Sequence, residues 1–269
     1  MALPVPPDPT GERKQMTRSI LHIGEWIDAF ILLGWIAAGS LAVLYASFLL
    51  LRLMHERAAG DPASVPVASY FGAITPIWAL IFGFVAAEVW STNSNAGVAA
   101  VEERSALIRL HGMAVPDALA LENLESALRL YSAEVVHSEW NTNGNRSPAP
   151  QAEEALQEIR LAMLAADRRG VSPVLMAKMV ADFDELQDAR TKRLAIGARD
   201  MQPLKWALVV VLGMMSMVSI AFVHRDKPRA GRTALKIFAV AAAAAIWLVL
   251  LHSSPYLGPV RVDSTALLF

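Results

Sequence analysis

Cysteine is absent from the 269 residues, which excludes a disulfide scaffold, a thiolate zinc site, an iron–sulfur cluster and a cysteine nucleophile. Charge is scarce too. Only 18% of the chain is Asp, Glu, Lys or Arg, and the 24 basic and 25 acidic residues leave a net charge of −1. No global field draws the protein to phosphate, so nucleic acid is not an expected partner. The phosphate loop, the Gly-x-Ser-x-Gly elbow, the His-Glu-x-x-His pair and the dinucleotide fingerprint are all missing, and no enzyme is expected. The six histidines are scattered, none three or four residues from another, so no helical metal face, metal or cofactor is expected. His55, His224 and His252 each flank an apolar span, where interfacial solvation accounts for them. No segment alternates with a strand period, and no internal repeat stands out.

What the chain has is apolar length. Hydrophobic residues make up 55% of it and the mean hydropathy is +0.39. Four windows are long enough to cross a bilayer core of about 30 Å, which takes about 20 helical residues. They cover 27–54, 68–90, 204–223 and 234–251, the last containing the alanine run 241–245. In the first, Trp26, Trp35 and Tyr45 are interfacial or lipid-facing candidates, and Gly34, Ala38 and Ala42 lie four apart on one face. In the second, Pro76 predicts a kink, and Gly72 and Gly83 predict close approaches. The short link before the fourth makes spans three and four an antiparallel hairpin. Residues 1–26 form an N-terminal tail, disordered over its proline-rich first fifteen positions and without the pattern of a signal peptide. Residues 252–269 form a C-terminal tail.

The charge concentrates in 91–203, an insert that reads as helix almost throughout. Span two continues without a breaker to Gly112. A second helix follows from Asp117 to about Trp140, with Leu121, Leu124, Leu128, Tyr131 and Val135 at three-and-four spacing. Residues 141–150 form a loop. A third helix covers about 151–168, and a fourth begins at Pro173 with Ser172 as its cap and runs unbroken to Pro203. The fold class is therefore an all-α integral membrane protein: four transmembrane helices, with a helical soluble insert between spans two and three.

Four spans place both termini on the insert's side. Arg13, Lys14, Arg18, Arg261, Arg104, Arg109, Arg190, Lys192, Arg193, Arg199 and Lys205 outnumber Arg52, Arg57, Arg225, Lys227, Arg229, Arg232 and Lys236 on the other side. The positive-inside rule puts the insert and both termini in the cytoplasm, with the spans in the cell (inner) membrane.

Glu88 lies inside the second apolar span, and its helical successors Ser91, Thr92 and Asn95 continue a polar stripe. Intramembrane carboxylates are costly and face a bundle interior or water. Three readings stay open: a headgroup-level solvated residue, a charge ring lining an ion path between copies of span two, or a buried pair with a basic residue of another helix. Glu88, Thr92 and Asn95 are the pore-lining candidates. Glu102 and Glu103 are expected to approach Arg190 and Arg193 where the extensions of spans two and three run side by side. Trp140 is expected to pack a helix end.

The stretches FGFVAAEVWSTNSNAGVAAVEERSALIRL (82–110), LRLYSAEVVHSEW (128–140), ELQDARTKRL (185–194) and PYLGPVRV (255–262) resemble the bacterial bestrophin-like domain family over Tyr70 to Leu268. That family usually has an Asp before a Pro-Phe-x-Gly turn. Ser253 and Ser254 precede Pro255-Tyr256-Leu257-Gly258 here, and no acidic calcium clasp is recognisable. The resemblance implies a homo-oligomeric membrane channel for inorganic ions, contacting lipid, with four spans and a helical cytoplasmic domain per subunit. The rival reading is a non-conducting scaffold that binds a cytoplasmic partner through its insert.

Overall fold

The computed structural model describes residues 9–57, 72–199, 202–224 and 226–268. The start of the expected second span, 68–71, and Arg225 lie outside them, as do the side chains of His55 and of the basic residues before Glu25. Among the described residues the chain is helical, with no strand. In order it forms α1 (Pro9–Arg57), α2 (Ile74–Ala114), α3 (Glu122–Glu134), a π-helical segment (Val135–Asn141), α4 (Pro150–Arg168), α5 (Pro173–Gly197), α6 (Pro203–Val223), α7 (Pro228–Leu251) and a 3-10 turn (Ser264–Leu267). Four of these helices contain windows apolar and long enough to cross a membrane: α1, α2, α6 and α7.

Several expectations need correcting. The helix of the first span begins at Pro9, so most of the expected tail is helical. Proline is tolerated at a helix start, no further proline interrupts before the apolar span, and helix propagates cheaply from a stable nucleus. Pro76 does not kink α2. It lies in the first turn, where its missing N–H has no intrahelical acceptor to lose. Gly34, Gly72 and Gly83 face open space rather than a close neighbour. Ser172 occupies the N-cap of α5 without a side-chain capping bond, leaving Pro173 as the start signal. Finally, α5 stops at Gly197, short of Pro203; the proline's own restriction reaches only Gln202, which is extended.

The chain divides into two compact units, with boundaries between Glu88 and Val89, near Gln202, and between Ser253 and Ser254. The first holds α1, α6, α7 and the first part of α2. Its small core joins Leu44, Met217, Ala221, Leu235 and Ala239. Trp78 ties α2 to it: the indole donates to the Val209 carbonyl at 3.0 Å, stacks on Phe82 and meets Phe238 edge-on at 5.3 Å. Gly213 makes room, since a Cβ there would lie 3.1 Å from the indole nitrogen. Trp247 donates to Ala29 of α1 at 3.2 Å. Only 11 to 28% of the apolar windows is buried within the chain, so most of their surface is left for lipid or another copy. Trp35 and Tyr45 both point outward.

The second unit is packed like a soluble domain. Leu107 and Leu110 of α2, Leu124, Leu128 and Tyr131 of α3, Ile159 and Met163 of α4, and Met179, Phe183 and Leu186 of α5 form one core. The C-terminal segment joins them, with Tyr256 and Leu267 buried and the Leu267 carbonyl accepting from Ser132 Oγ at 2.5 Å.

Trp78 gives the first unit a direct test. Trp78→Phe keeps the stacking and loses one buried hydrogen bond, which is expected to cost about 1 kcal/mol. Trp78→Ala empties the space under Phe238 and is expected to cost about 3 to 5 kcal/mol. Thermal unfolding of the two variants in detergent, read at the bundle's aromatic signal, should show a small and a large drop in midpoint.

Candidate functional site

Two groups of ionisable side chains stand out, one in each unit. In the first, Glu88 lies near the end of the membrane unit's part of α2. Its carboxylate accepts from the Lys205 ammonium of α6 with both oxygens, at 2.8 and 2.6 Å. The side chains are 57% and 41% exposed, so the pair lies open on the surface of the chain. Thr92 and Asn95 follow one and two turns on along the same helix, Thr92 half-buried and Asn95 exposed. The exposed face of α2 is apolar at Leu80 and Phe84 and polar at Glu88, Ser91 and Asn95. Lys205 was legible only as one basic residue among several near a membrane end; nothing in its spacing tied it to Glu88.

The second group is buried. Arg193 of α5 has no solvent exposure, and neither has its partner Glu103 of α2. The guanidinium donates to Glu103 through Nε at 2.6 Å and Nη2 at 3.1 Å, to Glu139 through Nη2 at 2.8 Å, and through Nη1 to Asn145 Oδ1. Tyr131 donates to Glu103 at 2.8 Å. Arg190, one turn earlier, donates to Glu139 at 2.5 Å and to the exposed Glu153 of α4 at 2.9 Å. Arg193 also lies over the Trp140 ring at 5.4 Å, and Trp140 meets Tyr256 edge-on at 5.1 Å. Of the four expected charge-pair residues, Glu103 and Arg193 meet directly. Arg190 turns to Glu139, and Glu102 pairs with Lys192 at 2.9 Å on the surface.

Local geometry explains this convergence. Val135–Asn141 is wound as a π-helix, closed by Thr142 Oγ1 donating to the His137 carbonyl at 2.7 Å. Beyond it the chain turns through two residues of positive φ, Gly144 and Asn145, both at 61°. At Gly144 a Cβ would lie 2.6 Å from Leu257, so both space and backbone require glycine. Asparagine tolerates the left-handed region, and here its side chain reaches Arg193. Gly197 lets the end of α5 approach this turn, since a Cβ would lie 2.1 Å from the Asn145 carbonyl oxygen. Sequence reasoning missed Glu139, Asn145 and Tyr131. The only signal was an acid at the end of an apolar helical stripe, and Trp140 beside it stacks on a cation rather than merely closing a helix.

The charges are held in place by their partners. Burial pushes the Glu139 carboxyl upward, but the Arg190 hydrogen bond and the Arg193 charge outweigh it and hold it below the usual carboxylate range. Burial opposes the charge on Arg193, yet Glu103 keeps it protonated beyond its ordinary value. Burial raises the Tyr131 hydroxyl well above its ordinary range, and the Glu103 charge raises it further. Glu103, Glu139, Arg190 and Arg193 are paired with one another, while Trp140 Nε1, Asn145 Nδ2 and the Tyr256 hydroxyl beside them are buried without a hydrogen-bond partner. Among the described residues no group of three or more His, Asp or Glu is arranged to hold a metal. At the ends of α6 and α7, His224 and His252 each place Nδ1 2.9 Å from a carbonyl one turn back.

Two measurements check the cluster. Arg193→Met strands two carboxylates in the core and is expected to cost about 3 to 5 kcal/mol, with partial recovery when Glu103→Leu is added. Because Glu139 is depressed, its contribution is full above the ordinary carboxylate range and lost as pH falls through the folded value. Thermal midpoints should therefore fall on acidification in wild type and fall less steeply in Glu139→Gln.

A family model described as Bestrophin-like domain matches residues 37–267. It takes in much of the first span, which the sequence resemblance had left out. No curated protein matches the chain. Among solved structures, two crystal structures of a bacterial bestrophin homolog from Klebsiella pneumoniae share the fold. One, carrying a point substitution, has a TM-score of 0.68 at 11% identity over 86% of this chain and 92% of that one. The other has 0.66 at 10% identity over 87% and 93%. A further crystal structure, described as a membrane protein, gives 0.65 at 12% identity over 87% and 94%.

Proposed function

The chain belongs to the bestrophin-like domain family, and on that premise we propose that it is a homo-oligomeric channel conducting inorganic ions passively along an axis lined by α2. The observation that carries this reading is the exposed face of α2. Apolar at Leu80 and Phe84, it becomes polar at Glu88, Ser91 and Asn95 without a break in the helix. In a lone subunit that polar stripe would leave the span against lipid, where such groups are costly. Around a symmetry axis it lines water. A ring of Glu88 carboxylates, followed by Thr92 and Asn95, favours cations at the pore mouth. The buried charges of the second unit, Glu103, Glu139, Arg190 and Arg193, are engaged with one another, which suits a supporting frame.

The helical insert and both termini belong to the cytoplasm, and the spans to the cell (inner) membrane. A chain without cysteine allows a clean test of sidedness. A single cysteine at Asn143 should resist an impermeant thiol reagent in intact cells and react after lysis; labelling from outside would invert the topology. For conduction, purified protein in liposomes should dissipate a salt gradient, and Glu88→Gln should lower cation-over-anion permeability with the oligomer intact. A wild-type protein without flux, or an unchanged ratio in the variant, removes the pore role of Glu88.

A further inference from the structure

We propose that Lys205 is a selectivity-determining residue, the built-in counter-charge that sets how strongly the Glu88 ring holds a cation; the inference rests on the channel reading above. Lys205 stands in the first turn of α6, two residues after Pro203, where its N–H bonds the Gln202 carbonyl. A cation is ill placed there, because the N-terminus of a helix already carries the positive end of the backbone dipole. A carboxylate alongside compensates both. Glu88 supplies it, with both oxygens within 2.8 Å of one ammonium. The two groups come from different spans of one compact unit, so the pair closes inside each subunit and needs no neighbouring copy.

The consequence follows from charge and exposure. Bare carboxylates converging on an axis repel one another and bind cations tightly. Each copy of Glu88 instead brings its own ammonium, and the ring presents alternating charges. Conduction requires an ion to be held weakly enough to leave. Both side chains are about half exposed, and an exposed lysine is a flexible, strongly hydrated point charge rather than a locked fork. A permeating cation can take the place of the ammonium at the carboxylate and be displaced by it in turn. No covalent step is involved.

The test is reversal potential in liposomes under a potassium chloride gradient, with oligomeric state checked for every protein. Lys205→Gln should raise cation-over-anion permeability severalfold, Glu88→Gln should lower it, and the double variant should return toward wild type. The exchanged pair, Glu88→Lys with Lys205→Glu, should assemble normally and stay near the wild-type ratio. A purely structural role for Lys205 predicts no opposite shifts and no cancellation. If Glu88→Gln moves the ratio while Lys205→Gln does not, Lys205 is not a determinant and the pore reading stands. If wild type conducts and no variant moves the ratio, both fail. Absence of wild-type flux overturns the channel and the inference with it. Should Lys205→Gln not assemble, the exchanged pair decides, and a ratio far from wild type overturns the proposal.

Discussion

A guanidinium without any solvent exposure constrains everything around it. Taking Arg193 out of water costs several kcal/mol, recovered only where hydrogen bonds of good geometry meet it on nearly every side. Glu103 takes two of its donors, Glu139 one and Asn145 one. Those partners come from α2, the π-helical segment and the turn after it, while Arg193 itself belongs to α5. A single charge thereby fixes the register of three separate stretches of chain. The hydrogen bonds of a forked cation between two carboxylates are directional, whereas Leu, Ile and Met contacts are not.

That dependence explains how much was legible. Helices, their apolar stripes and the four spans are written in period and length, so the architecture follows from short-range pattern. The meeting of Glu103 with Arg193 was accessible because opposite charges lie on the two helices next to spans two and three, even though α5 breaks off from α6 after Gly197. Glu139 was not, for two reasons. Its helix changes to π winding, which no residue pattern announces, and its partner is brought to it by a left-handed turn at Gly144 and Asn145. The break after Gly197 was missed for a similar reason. The close approach that favours glycine there is set by Asn145, some fifty residues away in sequence.

The membrane unit obeys different physics. Its core is small, its indoles are tied to backbone carbonyls, and most of its apolar surface points outward. Lipid tails are as apolar as leucine, so burial inside this unit gains little, and contacts such as Trp78 with Val209 and Gly213 carry proportionally more of its specificity. Small residues matter here through what they admit: Gly213 accepts an indole, whereas Gly34, Gly72 and Gly83 admit nothing within their own chain.

Two of the ion pairs on α2, Glu103 with Arg193 and Glu88 with Lys205, differ in burial and in the cation chosen. Arg193 is planar, buried and held through several donors, so its pair with Glu103 is fixed and suits a frame. Lys205 is a single hydrated ammonium against a half-exposed carboxylate; such pairs contribute little stability and exchange easily with solvent ions. Stability argues for the first arrangement and ion exchange for the second. Reversing the two cations would leave a poorly satisfied ammonium in the core and a locked fork at the membrane end of α2. Lysine is thus met where the carboxylate is exposed, at Glu88 and at Glu102, and arginine where it is buried, at Glu103 and Glu139.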